Sequence, residues 1–586
     1  MPRGLKDPEI IQFLEEEEEA IDSASENEQD HDVIVSDHVT ESEQSENESN
    51  DQWSSEDEVS LQNLASSSQS NDQSFYLGKN RLTKWYKHPP RSMVRTQHSN
   101  IVTETAGDIM TLSDAFLSIF SRETVDLILT YTNEYIISIQ NNFQRERDCK
   151  VVSYEELLAF FGLLYMSGVL RSSHLNYQDL WAADGTGIEF FSNTMSCKRF
   201  LFILRSLRFD SRTTTEVRQS LDKLAAIRDF CNLMNDNFQK CYSMSENVTI
   251  DEQLPAFRGR FCGVVYMPSK PTKYGIKHFA LVDSATYYLQ RFEVYVGVGR
   301  CFTEYENSLG LGAKVVIALC KTIKEKPSTV YFDNFFTSLE LIQHLRNEYG
   351  LFSLGTIKNN RLRGCQTILS SDKVLAKKGR GANQQIVCNA NKIAVVKWFD
   401  NKVVTLASSY VDSHPKEKIK RHCKETKSKV DVECPQIVKH YNAHMGGVDL
   451  SDMLISLYRS NFKTKRWYMA LFSQALDICA NNAWLQYRTD RPNTKTKSLK
   501  EFRIDLVTEL LQKNRIHQED VQENDAAVKI KLPSAPRPPD AVRFDNLGHL
   551  PTFVAQGSTV KRDTASTVKR DTQVSFVTNV TLDCVW

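Results

Sequence analysis

Apolar residues recur at helical spacing through residues 111–245. A residue that returns every three or four positions keeps one face of a helix toward a core. Ser153 and Glu156 form a capping box ahead of an apolar run at 157–170, which is too short to cross a membrane. The same period marks 114–120, 125–139, 197–207 and 221–238. We therefore predict an all-α segment.

The period changes after residue 246, where short β-branched and aromatic runs replace the helical pattern. Four closely spaced strands are predicted at 248–250, 263–267, 275–282 and 287–296. They are followed by a helix at 313–323, a strand at 329–332, a helix at 338–347 and a strand at 352–357. This order is typical of an α/β fold.

Residues 360–431 are rich in Gly and Lys and contain two short strand patterns. The strands, 393–399 and 403–408, flank a hairpin turn at Asp400 and Asn401. We predict an insertion here. Helical spacing returns at 453–457, 467–485 and 502–511, so a second helical segment follows the core.

Charge is distributed unevenly along the 586 residues. Residues 1–75 carry 22 acidic and 2 basic residues, and the remaining 52 acidic and 70 basic residues give the rest of the chain a net charge of +18. An acidic, weakly apolar tail is predicted to be disordered. A basic body fits a nucleic-acid-binding protein, whereas the alternative is a solvated tail on an ordinary Lys-rich surface.

Thirteen cysteines without a CxxC pair argue for free thiols in a reducing compartment and against a zinc ribbon. A basic connector with Trp85 and Tyr86 either follows a phosphate backbone or docks as a linker. The full division is an acidic disordered tail at 1–78, the basic connector at 79–110, a helical segment at 111–245, the core at 246–359, the insertion at 360–431, a second part of the core at 432–457, a second helical segment at 458–530 and an irregular tail at 531–586.

Three aspartates stand where packing does not require an acid. Asp251 and Asp333 end strand patterns, and Asp449 begins a predicted helix. An acid at the end of an apolar run is costly unless it is paired or holds a metal ion. Each aspartate alone is better explained as a cap or a turn residue. Asp452, one helical turn after Asp449, is either a further ligand or a solvated partner of a lysine.

Cations flank these acids along the chain, and cations of this kind give salt-sensitive, sequence-independent affinity for DNA. The candidate DNA contacts are Arg258, Arg260, Lys270, Lys273, Lys277, Lys463, Lys465, Arg466 and Trp467. For any one cation the alternative is a solvent-exposed surface position. Trp467 is equally well placed to be a core residue of its helix.

The motifs as a set resemble the piggyBac transposase family, in its order and over roughly residues 75–550. They are the Ile-Asp-Glu-Gln-Leu of 250–254, the Phe-Arg-Gly-Arg of 257–260, the Lys-Tyr-Gly-Ile-Lys of 273–277, the Phe-Asp-Asn-Phe-Phe-Thr of 332–337, the Gly-Gly-Val-Asp of 446–449 and the Thr-Lys-Arg-Trp of 464–467.

The resemblance implies an RNase H-like α/β core with a β-rich insertion and an Asp251, Asp333 and Asp449 triad. It also implies that both helical segments form one dimerisation and DNA-binding domain. The triad, with Asp452 as an accessory ligand, would hold two Mg²⁺ or Mn²⁺ ions that clamp an in-line phosphoryl displacement. The expected activity is excision through hairpin ends and integration at TTAA. The expected partners are double-stranded DNA and a second copy of the chain in the nucleus, with no membrane and no small-molecule substrate.

The sequence departs from the family near its end. Family members typically carry a Cys/His zinc domain there, whereas Cys584 is the last cysteine and Cys479 the one before it. We therefore expect no zinc site. The competing hypothesis is a domesticated or decayed derivative that binds DNA without transposing. A third hypothesis, an interaction protein that uses its acidic tail, depends on the tail alone.

Overall fold

The computed structural model describes residues 111–524 except 269, 271, 298–309, 325–327, 424–426, 461–463 and 491–496, without the side chains of 490 and 513–524. It adds the backbone of short strands at 34–35, 75–77, 84–86, 551–553 and 575–577. Most of the predicted tails and connector therefore lies outside the described residues. The chain divides into units 1–514 and 515–586, and the second contains an antiparallel pair, Pro551–Phe553 with Ser575–Val577.

Helices make up both flanks of the core, as the spacing predicts. Those described before the core are α1 (Leu112–Ile119), α2 (Arg122–Ile139), α3 (Tyr154–Val169), α4 (Tyr177–Leu180), α5 (Glu189–Thr194), α6 (Cys197–Ser206), α7 (Arg212–Arg218) and α8 (Arg228–Cys241). Those described within and after it are α9 (Leu311–Cys320), α10 (Leu339–Tyr349), α11 (Asp372–Lys377), α12 (Gln436–His444), α13 (Gly447–Leu457), α14 (Trp467–Asp490) and α15 (Leu499–Asn524). Ser153 caps α3 by accepting a hydrogen bond from the Glu156 amide at 3.1 Å. No helix of the described part combines the length and apolarity that crossing a bilayer requires.

The strands of the first unit are β1 (Ile34–Val35), β2 (Phe75–Leu77), β3 (Lys84–Tyr86), β4 (Asn247–Gln253), β5 (Val264–Tyr266), β6 (Tyr274–Ile276), β7 (His278–Asp283), β8 (Leu289–Val294), β9 (Thr329–Phe332), β10 (Phe352–Thr356), β11 (Asn383–Cys388), β12 (Ile393–Phe399), β13 (Val403–Ser408), β14 (Glu417–Cys423) and β15 (Ser428–Cys434). Ten of them form one mixed sheet in the order β2-β3-β11-β12-β13-β10-β9-β4-β7-β8. A mixed sheet with helices confirms an α/β core.

Strand β4 lies inside this sheet, between parallel β9 and antiparallel β7. Every residue of β4 after Asn247 is buried. A strand buried on both faces is normally apolar throughout, and Val248 and Ile250 follow that rule. The last three residues do not, since Asp251, Glu252 and Gln253 are buried polar groups. This end of β4 therefore marks the functional part of the sheet.

The segment predicted as an insertion is continuous with the core. Strand β13 pairs antiparallel with β10, and β12 and β11 extend the same sheet outward. Within this segment, β14 and β15 form a separate hairpin. The positions of β12 and β13 were predicted from local pattern, but their sheet partner was not, because pairing depends on contacts between distant segments.

Two asparagines dock the helical layer onto the exposed edge of the sheet. Asn235 on α8 accepts a hydrogen bond from the Phe292 amide and donates one to its carbonyl, both at 2.9 Å. Asn482 on α14 makes the same pair of bonds to Leu289, at 3.1 and 2.8 Å. An edge strand otherwise leaves its backbone amide and carbonyl groups unpaired. The two asparagine side chains pair these groups of β8 and thereby attach α8 and α14 to this edge.

The helical segments on either side of the core pack together. The rings of Phe209 and Phe472 lie 4.9 Å apart, and the Tyr165 hydroxyl donates to the Leu476 carbonyl at 2.6 Å. Both segments therefore share one apolar core although more than two hundred residues separate them in the chain.

Candidate active site

Asp251 and Asp333 lie on neighbouring parallel strands. The register pairs Ile250 with Phe332, so each aspartate comes directly after a paired residue. Parallel neighbours are about 4.8 Å apart, which places the two carboxylates side by side at one edge of the strands. Asp251 is 5% exposed and Asp333 is 9% exposed. The two positions that the sequence predicted separately are thus brought together.

The loop after Asp333 is held by two sets of hydrogen bonds. Asp333 Oδ1 accepts from the Phe335 amide at 2.8 Å, and the Thr337 hydroxyl donates to the Asp333 carbonyl at 2.6 Å. From the far side, the Arg361 Nη1 donates to the carbonyls of Asn334, Phe335 and Thr337 at 3.0, 2.7 and 3.0 Å. Arg361 therefore clamps the loop that positions Asp333, a role that no local sequence pattern indicated.

We expect Arg361→Met to weaken the expected metal binding by Asp333 without unfolding the protein. Three carbonyls lose a charged donor, and each such bond is worth about 1.5–3 kcal/mol. The measurable result is a higher Mg²⁺ concentration for half-maximal cleavage and a lower kcat. Arg363→Met is the matched control, because Arg363 is exposed and pairs with Glu340 on the surface. Equal effects of both substitutions would contradict the clamp.

The segment that leads into the Asp449 helix is fastened to strand β4 at Thr249, two residues before Asp251. The Thr249 hydroxyl donates to the His444 carbonyl at 2.7 Å and lies 2.7 Å from the Ser284 hydroxyl. A Cβ on Gly447 would lie 2.9 Å from Thr249 Oγ1, closer than side chains normally approach. Gly447 therefore allows α13 to begin directly on the strand.

Gly447→Ala is expected to displace the start of α13 and reduce cleavage, with a loss of about 1–2 kcal/mol of stability from overpacking. Gly446→Ala provides an internal control, since a Cβ there would meet nothing nearer than 4.0 Å. Cleavage rates and thermal unfolding of the two variants test this difference. A harmless Gly447→Ala substitution would show that the close approach is not required.

Asp449 and Asp452 differ in environment although they share α13. The side chain of Asp449 is 70% exposed, and its Oδ1 lies 3.6 Å from the Lys270 ammonium. Burial raises the pKa of Asp452 to about 7, against the opposing charges of Lys270 and Arg459. Asp452 is therefore a partly buried acid beside the site, as an accessory ligand would be, while Asp449 faces solvent.

The acids at the end of β4 repel one another. Burial raises the pKa of Asp251 well above its usual value, and Glu252, Asp333 and Asp449 raise it further. Burial and the Glu252 carboxylate raise the pKa of Asp333 to about 6. Carboxylates in such a group ionise together only when a cation compensates their charge. The arrangement is therefore suited to binding a positive ion.

These acids fit a hard divalent cation. Carboxylate oxygens are the ligands that Mg²⁺ and Mn²⁺ take, and buried Asp251 and Asp333 offer them at one edge. Among the described residues, however, no three acidic, His or Cys side chains are already arranged so that all could bind one ion. Asp449 would have to turn inward from its exposed position.

Glu252 is a component of the site that the sequence analysis missed. It is fully buried, and neither carboxylate oxygen has a hydrogen-bond partner among the described residues. The nearby Lys277 ammonium lies over the Phe279 and Phe335 rings, 5.1 and 4.7 Å from their centroids. Burial lowers the pKa of Lys277, and Glu252 and Asp333 oppose this effect. The signal available in the sequence was the unbroken acidic pair Asp251-Glu252 at a strand end.

The predicted DNA contacts fall into two groups. Arg258, Arg260, Lys273 and Lys465 are exposed, as a phosphate contact requires. Arg258 and Lys273 line a cleft of about 670 Å³ together with Arg459, and none of the described residues that line it is acidic. This cleft adjoins the end of β4, since Pro255 and Ala256 also line it. Lys463 lies outside the described residues.

The other predicted contacts have structural roles. Arg466 is buried and donates to the carbonyls of Leu204, Arg205 and Leu207 at 2.9, 3.0 and 3.2 Å, so it caps the end of α6. Trp467 is half-buried and stacks on Phe261 with ring centroids 4.1 Å apart. Arg466 and the buried Lys277 thus correct the sequence-based assignment, because the chain uses both charges internally and neither faces solvent.

A family model described as Transposase IS4 matches residues 112–484. Among curated proteins, human PiggyBac transposable element-derived protein 2 is 28% identical over 373 residues, covering 63% of this chain and 60% of the relative. Human PiggyBac transposable element-derived protein 3 is 27% identical over 370 residues, covering 63% of this chain and 59% of the relative. The chain thus spans about three fifths of the length of these relatives.

A solved structure resembles the fold as well. The cryo-EM structure of a piggyBac transposase synaptic complex with hairpin DNA superposes with a TM-score of 0.61 at 27% identity. The match covers 76% of this chain and 90% of the solved chain. The likeness therefore extends over the helical flanks as well as the sheet.

Proposed function

Because this chain belongs to the piggyBac-type Transposase IS4 family, we propose that it is a metal-dependent DNA transposase whose core is RNase H-like. Asp251, Asp333 and Asp449 are the catalytic acids in this proposal. The observation that carries it is the side-by-side burial of Asp251 and Asp333 at β4 and β9, with the start of α13 packed closely against β4 at Gly447. The family match alone would not require this geometry.

Asp251 and Asp333 would hold two Mg²⁺ or Mn²⁺ ions, with Asp449 completing the site and Asp452 supporting it. Bound ions of this kind stabilise the attacking and leaving oxygens of a phosphoryl displacement. The residues of the chain orient these oxygens and keep water out of the buried side of the site. The carboxylates position charge and do not act as nucleophiles.

In the proposed sequence of steps, water attacks a phosphodiester at the element's end and the bond to the 3′-oxygen breaks. The freed 3′-hydroxyl then attacks a phosphodiester of the opposite strand, and the bond from that phosphorus to the flanking strand's 3′-oxygen breaks, which leaves a hairpin. A second water attacks the hairpin phosphodiester and releases the 3′-hydroxyl. This 3′-hydroxyl attacks a target phosphodiester at TTAA, and the target strand's 3′-oxygen leaves. A homodimer and a nuclear location belong to the same proposal, and the likeness to a synaptic complex with hairpin DNA supports the hairpin step.

The proposal is tested with the full chain and a labelled duplex that carries the genomic DNA flanking its gene. With Mg²⁺ or Mn²⁺ we expect nicked and hairpin products, and with EDTA none. Metal-independent products would contradict the proposed chemistry. Tight binding without any cleavage in either metal would instead favour the alternative, a transposase-derived DNA-binding protein that no longer transposes.

DNA binding is expected to weaken steeply as salt increases, and the Arg258 and Lys273 side chains should contribute to this slope. Each lost phosphate contact reduces the slope of log affinity against log salt by about 1. Lys240→Ala on α8 is the control, since this cation is exposed and does not line the cleft. Filter binding at several salt concentrations checks the effect. An unchanged slope in Arg258→Ala would remove the cleft from the DNA path.

A further inference from the structure

We propose that the Lys270 ammonium is an internal counter-ion, which neutralises the acid cluster until a divalent ion displaces it. This inference rests on the proposed metal site. It assigns Lys270 to a role different from the DNA contact that the sequence indicated, and it makes this residue a positioning group for the third acid.

The contacts of Lys270 bridge the two elements that carry the acids. Its Nζ lies 3.6 Å from Asp449 Oδ1 on α13 and donates to the Glu252 carbonyl of β4 at 3.3 Å. The Lys270 side chain is only 14% exposed, although Asp449 is 70% exposed. A single ammonium thus fastens the start of α13 to the end of β4 from within the fold.

The surrounding charges agree with a counter-ion. The ammonium faces acids from two elements, Asp251 and Glu252 on β4 and Asp449 and Asp452 on α13. The cations on neighbouring segments, Lys277 and Arg459, act on the same acids but make no ion pair with Asp449 among the described contacts.

An ammonium and a divalent ion cannot both neutralise the same carboxylates. Lysine is a compact point charge on a flexible stem, so its head can leave without moving the backbone, unlike a bidentate arginine. The residues that follow, Thr272 and Lys273, line the cationic cleft. A displaced Lys270 head would therefore move toward the surface on which the proposed DNA backbone lies, and Asp449 would be free to turn toward the metal.

The first test measures amine reactivity. The full chain is acetylated briefly with an N-hydroxysuccinimide ester, with and without Mg²⁺, and each lysine is quantified by peptide mass spectrometry. We expect Lys270 labelling to rise roughly fivefold with Mg²⁺, the factor that corresponds to releasing one ion pair. Exposed Lys273 serves as the internal control and should label equally under both conditions.

The second test measures Mn²⁺ affinity by electron paramagnetic resonance. Lys270→Met should bind the first ion about fivefold more tightly than the parent, because a competitor has been removed. Lys240→Met removes the same charge at an exposed position of α8 and should bind as the parent does. Unchanged or weaker binding by Lys270→Met would overturn the counter-ion proposal.

If the parent binds Mn²⁺ while Lys270 stays protected from labelling, the counter-ion proposal is wrong and the metal site stands. If the parent binds no Mn²⁺, the metal site itself is wrong.

Discussion

Asp333→Asn is expected to abolish metal-dependent strand cleavage, by roughly 10³-fold or more, in a protein that remains folded. The substitution removes the charge that would hold the ion but retains an Oδ1 acceptor for the Phe335 amide. The loop clamped by Arg361 therefore keeps its shape. Single-turnover cleavage of the labelled duplex gives the rate, and circular dichroism reports the fold.

The pKa of Asp333 predicts whether Asp333→Asn is more or less stable than the parent at a given pH. The pKa of Asp333 is raised from 3.8 to about 6 in the folded chain, so the ionised acid destabilises the metal-free protein fully above pH 6. Without metal, Asp333→Asn should melt at or above the parent temperature at pH 7. The advantage should disappear as the pH falls toward 4, where the acid is protonated in both states. Asp431→Asn, on the exposed face of β15, is the control. Parent-like cleavage by Asp333→Asn would refute its catalytic role.

Arg503→Met is expected to cost about 3–5 kcal/mol of folding free energy, because it removes one partner of a buried ion pair. This is the largest loss of stability among the substitutions proposed here. Arg503 and Asp477 are both completely buried and form an ion pair of 3.1 Å. Arg503 also donates to the Tyr458 carbonyl, and Asp477 accepts from Ser460, so the pair anchors the turn that ends α13. Removing the arginine leaves an isolated charge in the core.

Arg212→Met is the matched control for this loss. Arg212 and Glu216 form an exposed i,i+4 pair on α7, and such pairs contribute about 0.3–0.5 kcal/mol. Chemical denaturation of both variants gives the comparison. Arg503→Met should also lower cleavage, because the end of the Asp449 helix loses its anchor. A loss below that of the control would mean that the buried pair does not anchor the turn that ends α13.

Local pattern was sufficient for the strand that precedes Asp333, whereas β4, predicted over 248–250, extends over Asn247–Gln253. The run Thr329–Phe332 is β-branched and aromatic and is followed at once by Asp333, so its bounds were predicted correctly. The strands β12 and β13 were equally clear. These elements are specified by short-range periodicity, which the chain alone displays.

Contacts between distant parts of the chain determine the residue roles that local sequence pattern did not predict. Arg466 lies in a basic motif, yet its guanidinium donates hydrogen bonds to carbonyls at the end of α6, some 260 residues earlier in the chain. Arg361 acts on a loop that precedes it by a helix and a strand. Glu252 follows Asp251 in the chain and drew no prediction of its own, yet it is a buried acid without a hydrogen-bond partner among the described residues. For Arg466 and Arg361 the partners are backbone carbonyls that only the folded chain brings near.

The central claim is that the acids at the end of β4 and β9 bind the catalytic ions together. Calorimetric titration of Mn²⁺ into the metal-free full chain tests it most directly, with Asp251→Asn, Asp333→Asn and Asp431→Asn compared in parallel. We predict that the parent and Asp431→Asn bind Mn²⁺ alike, whereas Asp251→Asn and Asp333→Asn each bind it at least about tenfold more weakly. Equal Mn²⁺ affinity in all four proteins would contradict the claim.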